Sequence, residues 1–340
     1  MRIALVAFVM AALVSQGARA DEIWTETRIT NTSWWETRPV MWGNTIYYND
    51  GRSGSGDIYT WDPVNGSRPL IQGPNSQITQ TVHEHKLVYR DNGAGNDDLY
   101  LWDAVNGTRP ITTAPGDQTN ADIYGDTVVW EDRRGAKPQV YMWDPVNGER
   151  PISPTAYNQI SPRIWGDTVV WEDDRNGRRD VYMWNPRDGE RLLSTYIFGM
   201  CSPDIHEGRV VMWMLDDPRT LLDEPGLWEW TPERGLRRLA ELYPSTAPQS
   251  CNVWGDLVVA CGGGGASNVI AWDPVHGVTR VNQSCLGDAM LPSLYGNTVL
   301  WQGNWDIYMC TLVPEPSGLV ALLGCGGFLA VTCRRRVRKA

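Results

Sequence analysis

Residues 125–132, Gly125-Asp-Thr-Val-Val-Trp-Glu-Asp, return unchanged 41 positions later as residues 166–173. Looser copies of the first six positions begin at Gly43, Gly208, Gly255 and Gly296, with a degenerate copy at His85. A second segment, Asp57-Ile-Tyr-Thr-Trp-Asp-Pro-Val-Asn-Gly, follows the first copy, and its equivalents begin at Asp98, Gln139, Asp180, Gly226, Asn268 and Asp306. Self-similarity with a period of roughly 40 residues predicts a repeat architecture.

Each repeat carries the signals of four short strands. The first strand ends at an aromatic residue, found at Trp42, Tyr124, Trp165, Trp254 and Tyr295, and Gly-Asp or Gly-Asn then supplies a tight turn. The Val-Val-Trp run is the second strand, Asp-x-Tyr-x-Trp alternates as a third, and Asp-Pro-Val-Asn-Gly turns into a fourth. Seven such units predict an all-β fold, a seven-bladed β-propeller of four-stranded blades.

The two ends of the repeat array predict how the propeller closes. The last repeat stops after its third strand, while Thr27-Arg28-Ile29-Thr30 resembles the fourth-strand segment Thr108-Arg-Pro-Ile-Thr112. Pairing residues 25–30 with residues 306–312 would cover both exposed edges. We therefore predict that the N-terminal strand completes the last blade.

Ser161-Pro162, Glu172-Asp-Asp-Arg175, Asp180-Val-Tyr and Asp188-Gly189 occupy the places of a known pattern. In these positions the repeat resembles the TolB-type propeller repeat. The chain departs from TolB in its Trp-rich core and in its seven units, where TolB has six blades and another domain. The resemblance therefore implies the fold and secretion, and does not extend to TolB's partners.

The N-terminus has the layout of a secretory signal. Arg2 precedes an apolar run over residues 3–14, and Ala18-Arg-Ala20 fits a cleavage site after Ala20. About 12 apolar residues are too few to span a bilayer. We predict a signal peptide over residues 1–20 and a propeller domain over residues 21–313.

The C-terminus, residues 314–340, contains three features in a fixed order. Pro314, Glu315 and Pro316 precede an apolar stretch over residues 319–333, which a basic cluster beginning at Arg334 follows. Such a cluster stays cytoplasmic, so we predict a C-terminal transmembrane helix with the propeller outside. This end resembles the PEP-CTERM sorting signal, which implies handling by an exosortase-type membrane protease. The alternative is a plain membrane anchor.

The net charge of the propeller limits the classes of molecule that it is expected to bind. The net charge is −10, and because the signal contributes +2 and the tail about +4, the propeller carries about −16. An acidic surface repels nucleic acid and anionic lipid, so no nucleic-acid partner is expected.

Most tryptophans fall at repeated positions and are predicted to pack blade against blade. Trp34, Trp35 and Trp305 lie outside those positions and are better candidates for sugar platforms. The loops between second and third strands are charged. We predict inter-blade ion pairs and turn hydrogen bonds there, formed by Asp50, Arg52, Asp91, Asp132, Arg133, Arg134, Asp173, Asp174 and Arg175.

The sequence contains no motif that identifies a catalytic residue, a metal ligand or a cofactor site. Nucleophile elbows, phosphate loops and calcium-loop patterns are absent from it. His83-Glu-His85 places two imidazoles on one side of a predicted strand, but no third zinc ligand is near in sequence, so a structural role is preferred. A pair of glycosidase carboxylates stays open, since only their spacing identifies them.

We predict that the working surface is the face that carries the loops between second and third strands and between successive repeats, because the loops between second and third strands vary from repeat to repeat. Residues 214–225 lengthen the fifth repeat and bring Asp216, Asp217, Arg219, Asp223 and Glu224, which together with Trp305 are the candidate ligand-binding residues. A glycine run beginning at Gly262 lies in the next repeat. Cys251 and Cys261 flank the turn at Gly255-Asp256 and are predicted to form a cross-strand disulfide.

Two functions stay open. The first is an exported envelope or cell-surface propeller that binds a glycan, matrix polymer or protein partner without catalysis. The alternative is a propeller glycoside hydrolase or lyase acting on extracellular polysaccharide. A non-repeating acidic pair in the central channel would favour the enzyme, and a channel lined only by repeated residues would favour the binding protein.

Overall fold

A computed structural model describes residues 24–194, 203–214, 226–241, 248–262, 268–282 and 289–312. The chain divides into two compact units, the propeller over Glu26–Thr311 and a unit made of residues 1–25 and 312–340. Ala20, the Pro-Glu-Pro motif and the predicted transmembrane helix lie outside the described residues. Within the described ranges, no helix has the length and apolar character needed to cross a membrane.

Within these described ranges, twenty-eight strands form seven four-stranded antiparallel sheets. The first strands are β2 (Glu36–Trp42), β6 (Gln77–His83), β10 (Gln118–Tyr124), β14 (Gln159–Trp165), β18 (Asp204–His206), β22 (Pro248–Trp254) and β26 (Met290–Tyr295). The second strands are β3 (Thr45–Asp50), β7 (Lys86–Asp91), β11 (Thr127–Asp132), β15 (Thr168–Asp173), β19 (Arg209–Met214), β23 (Leu257–Gly262) and β27 (Thr298–Gly303).

The outer half of each blade follows the same plan. The third strands are β4 (Asp57–Asp62), β8 (Asp98–Asp103), β12 (Gln139–Asp144), β16 (Asp180–Asn185), β20 (Gly226–Thr231), β24 (Asn268–Asp273) and β28 (Asp306–Leu312). The fourth strands are β5 (Gly66–Ile71), β9 (Gly107–Thr112), β13 (Gly148–Pro151), β17 (Gly189–Leu192), β21 (Gly235–Glu241), β25 (Gly277–Arg280) and, for the last blade, β1 (Trp24–Arg28). The predicted seven-bladed propeller of four-stranded blades is confirmed.

The N-terminal strand closes the wheel as predicted. The last sheet has the order β1-β28-β27-β26, so the edge of β28 is covered by the start of the chain. Ile29 N donates to Ile307 O at 2.8 Å, and Arg28 forms an ion pair with Asp306. β1 thus covers the edge of β28, which the last repeat leaves without a fourth strand of its own.

Repeated aromatic side chains fill the spaces between blades. In the second strands Trp130, Trp171, Trp213 and Trp301 are at most 1% exposed, and Tyr48 and Tyr89 take the same place in the first two blades. The third-strand tryptophans join the apolar clusters between adjacent blades, as Trp143 does against Val88 and Leu99. The predicted blade-to-blade packing is confirmed.

The two faces of the propeller differ in how they are built. The turn face carries the turns that join first to second and third to fourth strands, such as residues 125–126 and 144–148. The loop face carries the connections between second and third strands and between successive blades. Positive φ angles at Gly125 (60°) and Gly148 (69°) explain why glycine recurs in the turns.

Candidate ligand-binding channel

The first strands of all seven blades surround a central channel. It encloses a cavity of about 280 Å³ lined by residues of β2, β6, β10, β14, β18, β22 and β26. Ile123, Ile164 and Ile205 also border the cavity, but their side chains are buried in the clusters between blades and alternate along the strands with the polar lining residues. Strand periodicity therefore assigns one set of positions to the core and the other to the channel.

A ring of seven side chains narrows the channel at the turn face. Each first strand ends at one of them, Trp42, His83, Tyr124, Trp165, His206, Trp254 and Tyr295. Neighbouring rings contact each other around the whole circuit, with centroids 4.0–4.9 Å apart. Trp254 also reaches Trp42 and Trp165, at 6.1 and 5.9 Å, so its indole lies toward the axis.

Two histidines complete this aromatic ring. Gly125 N donates to His83 Nδ1 and Gly255 N to His206 Nδ1, each at 3.1 Å. Burial lowers the pKa of both imidazoles, so the neutral form is favoured. This role of His83 and His206 was not predicted from the sequence, although both stand directly before a turn, as the five ring-forming aromatics do.

The histidine pair suggested by His83 and His85 is not formed. His83 ends β6, whereas Glu84 and His85 form the following turn with positive φ angles of 49° and 62°. His85 Nδ1 lies 3.2 Å from the Tyr47 hydroxyl instead. The turn separates the two imidazoles because it reverses the chain between them.

A second tier of channel residues lies two positions before the aromatic ring. It is made of Val40, Thr81, Asp122, Arg163, Asp204, Asn252 and Ser293. Unlike the ring, this tier does not repeat, and it places the charged side chains Asp122, Arg163 and Asp204 in three successive blades. Residues that vary where the scaffold does not are typical of binding sites.

The carboxylates of this tier also tie neighbouring blades together. Asp122 accepts hydrogen bonds from Thr81 Oγ1 at 3.0 Å and from Ile164 N at 2.9 Å. Asp204 accepts one from Val253 N at 2.7 Å. Burial raises the pKa of Asp204 to about 7; Arg163 opposes this rise, and Asp122 adds to it.

First strands carry a β-bulge next to the second tier, on its loop-face side. Pairing between first and second strands shifts register there, as between Thr37 and Val40 and between Thr119 and Asp122. Arg38 and Asn120 lie at these shifts with φ angles of 52° and 51°, and both line the cavity. Bulges of this kind redirect side chains, here toward the channel.

Two tryptophans outside the repeat are exposed at the loop face. Trp34, between β1 and β2, is 51% exposed, and Trp305, between β27 and β28, is 65% exposed. Trp35 packs on Gly51 so closely that a Cβ atom there would lie 2.2 Å from its ring. Trp34 and Trp305 therefore stay available for a ligand, whereas Trp35 is structural. The other candidates, Asp216, Asp217, Arg219, Asp223 and Glu224, lie outside the described residues.

The predicted disulfide is wrong. Cys251 pairs with Ala260 and Cys261 with Ser250, so the two side chains point to opposite faces of the sheet. Cys251 packs with Val211 and Trp213 of the preceding blade, while Cys261 Sγ donates to Ala289 O on the other side. No S–S bond joins them. Burial raises the pKa of Cys261 to about 11.

The turn hydrogen bonds predicted for the charged loops are confirmed, since the aspartate accepts from the backbone N–H two residues later at 2.9 Å in three of them. The ion pairs of these loops form within blades among the described residues, so the predicted inter-blade pairing is wrong. Arg52, Arg134 and Arg175 pair with the aspartate two residues earlier at 2.6–2.7 Å. Arg175 also contacts Glu190 of its own blade at 2.6 Å. Each guanidinium covers a third-strand tyrosine, 4.1–4.4 Å from the ring centroid. The charges of Arg52, Arg134 and Arg175 are thus paired within their own blades.

Comparison with known proteins identifies the fold. No protein-family model and no curated protein matches the chain. Among solved structures, a prolyl endopeptidase gives a TM-score of 0.61 at 13% identity, covering 87% of this chain and 50% of its own. An oligogalacturonate lyase in complex with manganese gives 0.61 at 16% identity, covering 85% and 93%.

A further structure comes from an archaeal protease. The β-propeller domain of the Trilobed protease from Pyrococcus furiosus gives a TM-score of 0.60 at 11% identity, covering 81% of this chain and 95% of that domain. At these identities the likeness concerns the fold and does not extend to the activity. The chain is a β-propeller.

Proposed function

We propose that this protein is an exported envelope or cell-surface β-propeller that binds a polar ligand in its central channel without transforming it. The ligand would belong to a glycan, a matrix polymer or a protein partner. The observation that supports the proposal is the second tier, where Asp122, Arg163 and Asp204 break the repeat. The exposed Trp34 and Trp305 add aromatic surface at the loop face, from which the ligand would approach.

Blocking the channel tests this proposal. Ser293→Trp would place an indole in the second tier, and Val146→Trp, on an 88% exposed turn-face residue, is the matched control. Binding of the full chain to envelope polysaccharide of the producing organism should fall at least about tenfold in Ser293→Trp and stay unchanged in the control. Unchanged binding by a folded Ser293→Trp variant would move the site away from the channel.

A lyase or hydrolase is the second candidate function. Asp122 and Asp204 form a non-repeating acidic pair in the channel, the feature that favours an enzyme. A carboxyl with a pKa of about 7 can exchange protons at neutral pH, as a general acid or base must. Oligogalacturonate lyase, a structural neighbour, shows that this fold supports such chemistry.

Polysaccharide turnover separates the two functions. If the protein is an enzyme, new chain ends should accumulate with the wild type, and Asp204→Asn should abolish them while retaining binding. If it is a binding protein, incubation leaves the polymer length unchanged. We favour the binding protein because Asp122 and Asp204 already accept hydrogen bonds from neighbouring blades.

We also propose that the propeller reaches the envelope through its two terminal signals. Cleavage after Ala20 would release the N-terminus, and an exosortase-type enzyme would recognise Pro314, Glu315 and Pro316. Before that step, the apolar tail would hold the protein in the membrane. Mass spectrometry of native protein tests this, since a mature form that retains Lys339 would contradict processing and leave anchoring.

A further inference from the structure

Two arginines line the channel and form no ion pair with any carboxylate in the part of the chain that the structure describes. Arg163 of the fourth blade donates through Nη1 to the Pro162 carbonyl at 2.7 Å, and this is its one hydrogen bond among the described residues. Arg38 of the first blade lines the same cavity, and within the described ranges its guanidinium forms neither an ion pair nor a hydrogen bond. In a seven-bladed wheel these blades stand on opposite sides of the axis.

The contrast with the other arginines shows that this is unusual for the molecule. Arg52, Arg134 and Arg175 of the charged loops each contact a buried aspartate at 2.6–2.7 Å. The whole chain carries a net charge of −10, so acidic partners are abundant. Burial, reinforced by nearby Arg90 and only partly opposed by Asp97, lowers the pKa of Arg38, as expected for a guanidinium that has lost water.

The carboxylates nearby do not neutralise the channel arginines. Neither Asp122 nor Asp204 lies within ion-pair distance of Arg163 in the part of the chain that the structure describes. Both oxygens of Asp122 accept hydrogen bonds, from Thr81 and Ile164, and one oxygen of Asp204 accepts from Val253. The unused donors of the channel are therefore those of the two guanidinium groups, and they lie in the same cavity as a buried acceptor, Asn252 Oδ1, that has no hydrogen-bond partner among the described residues.

The cavity limits the size of what these donors can bind. Its volume of about 280 Å³ is near the lower end of the roughly 300–1,000 Å³ of small-molecule sites. Aromatic side chains close it below, while Asn252 and Ser293 add neutral polar groups to its wall. Aromatic floors and amide or hydroxyl walls suit the apolar and polar faces of a pyranose ring.

We propose that the channel binds a carboxylate-bearing sugar residue, with Arg163 and Arg38 as the groups that recognise the carboxylate. The proposal rests on the proposed function, which places the ligand in the channel, and it adds the chemical class. Guanidinium matches carboxylate geometry with two parallel hydrogen bonds, which supplies specificity as well as affinity. A terminal or side-branch uronic acid on a mostly neutral polysaccharide would fit, since the acidic surface of the propeller repels a polyanion, and Trp34 and Trp305 would contact the adjoining sugars.

A matched pair of oligosaccharides tests the class of ligand. The probes are a glucuronic-acid trisaccharide and the same trisaccharide after its carboxyl groups have been reduced to alcohols. Calorimetry with the full chain in detergent should show at least about tenfold tighter binding of the acidic trisaccharide, as expected for charge-assisted hydrogen bonds. Equal affinity for the two probes, or no binding of either, would overturn the proposal.

Variants assign the effect to the two arginines. Arg163→Gln and Arg38→Gln should each lower affinity for the acidic probe about 10- to 100-fold and leave the reduced probe unaffected. Arg187→Gln, whose side chain is 86% exposed and pairs with Asp188 on the turn face, is the control and should bind like wild type. Wild-type affinity in both channel variants would refute the assignment.

The outcomes keep this inference separate from the proposed function. If the reduced probe binds as well as the acidic one and Ser293→Trp abolishes both, the channel is the site but the ligand is not acidic. If neither probe binds while envelope polysaccharide still binds in a channel-dependent way, the carboxylate class is wrong and the channel stands. If envelope polysaccharide binds independently of the channel, both proposals fail.

Discussion

Blades 3 and 4 share the second-strand sequence Thr-Val-Val-Trp-Glu-Asp, in β11 and β15, but differ in their first strands. Gln-Thr-Asn-Ala-Asp-Ile-Tyr in β10 stands where β14 has Gln-Ile-Ser-Pro-Arg-Ile-Trp. The second strand is buried between neighbouring blades. Because this packing environment is the same in both blades, it selects the same residues. Alternate residues of the first strand face the channel, where Asp122 and Arg163 occupy the same place with opposite charge.

This difference separates stability from function within one blade. Positions that repeat are fixed by packing, and positions that vary are free to suit a ligand. Four substitutions test this distinction, and their expected effects on stability decrease from Trp171→Ala to Arg163→Gln.

Trp171→Ala should have the largest effect on stability. Trp171 is fully buried in β15 and packs against Val129 and Val140 of the preceding blade. Truncation should lower the free energy of unfolding by about 3–5 kcal/mol, measured by denaturant titration. Trp34→Ala, at a side chain 51% exposed outside the repeat, is the matched control and should cost less than about 1 kcal/mol.

Asp173→Asn should lower the free energy of unfolding by about 1.5–3 kcal/mol, because it removes a buried charge that accepts hydrogen bonds from Arg175 and Gln159. Burial acts to raise the pKa of Asp173, but the hydrogen bonds from Arg175 and Gln159 outweigh it and lower the pKa. Wild-type stability should therefore be lost as pH falls below the ordinary carboxyl value, and less steeply in the variant. Asp167→Asn, at an exposed turn residue, should leave both unchanged.

His206→Tyr should remove part of the pH dependence of stability between pH 7 and pH 5. Burial lowers the pKa of His206, so the unfolded chain binds a proton that the folded chain does not. Wild-type stability is thus fully present above pH 6.5 and declines below it, by on the order of 1 kcal/mol per unit of pKa shift. Tyr124 and Tyr295 show that the ring accepts tyrosine. Equal pH slopes in thermal unfolding of variant and wild type would contradict this.

Arg163→Gln should have the smallest effect on stability, within about 0.5 kcal/mol. Its guanidinium has no ion-pair partner among the described residues, so little is lost when the charge is removed. Denaturant midpoints of variant and wild type should coincide. A loss as large as that of Asp173→Asn would place Arg163 with the structural residues and erase the distinction between the two strands.

The two wrong predictions, the disulfide and the inter-blade ion pairs, concern the register of strand pairing and the direction in which a side chain points. Cys251 and Cys261 looked opposite across a turn, but the pairing is offset by one residue, and an offset of one reverses the face of a strand. Arg134 and Arg175 looked available for neighbouring blades, yet each folds back on an aspartate two residues earlier. Such details depend on coordinates of single residues, which a repeat period does not contain.

The number of blades, their four strands and the closure by residues preceding β2 follow from the sequence alone. They depend on turn residues and on the alternation of apolar and polar residues, both of which repeat along the chain. Only the tertiary structure decided which residues meet at the axis. Asp122, Arg163 and Asp204 are 41 residues apart, and nothing local marks them as neighbours. Closing seven sheets into a wheel brings one residue from each first strand to the same height, so the site exists only once the last blade is sealed.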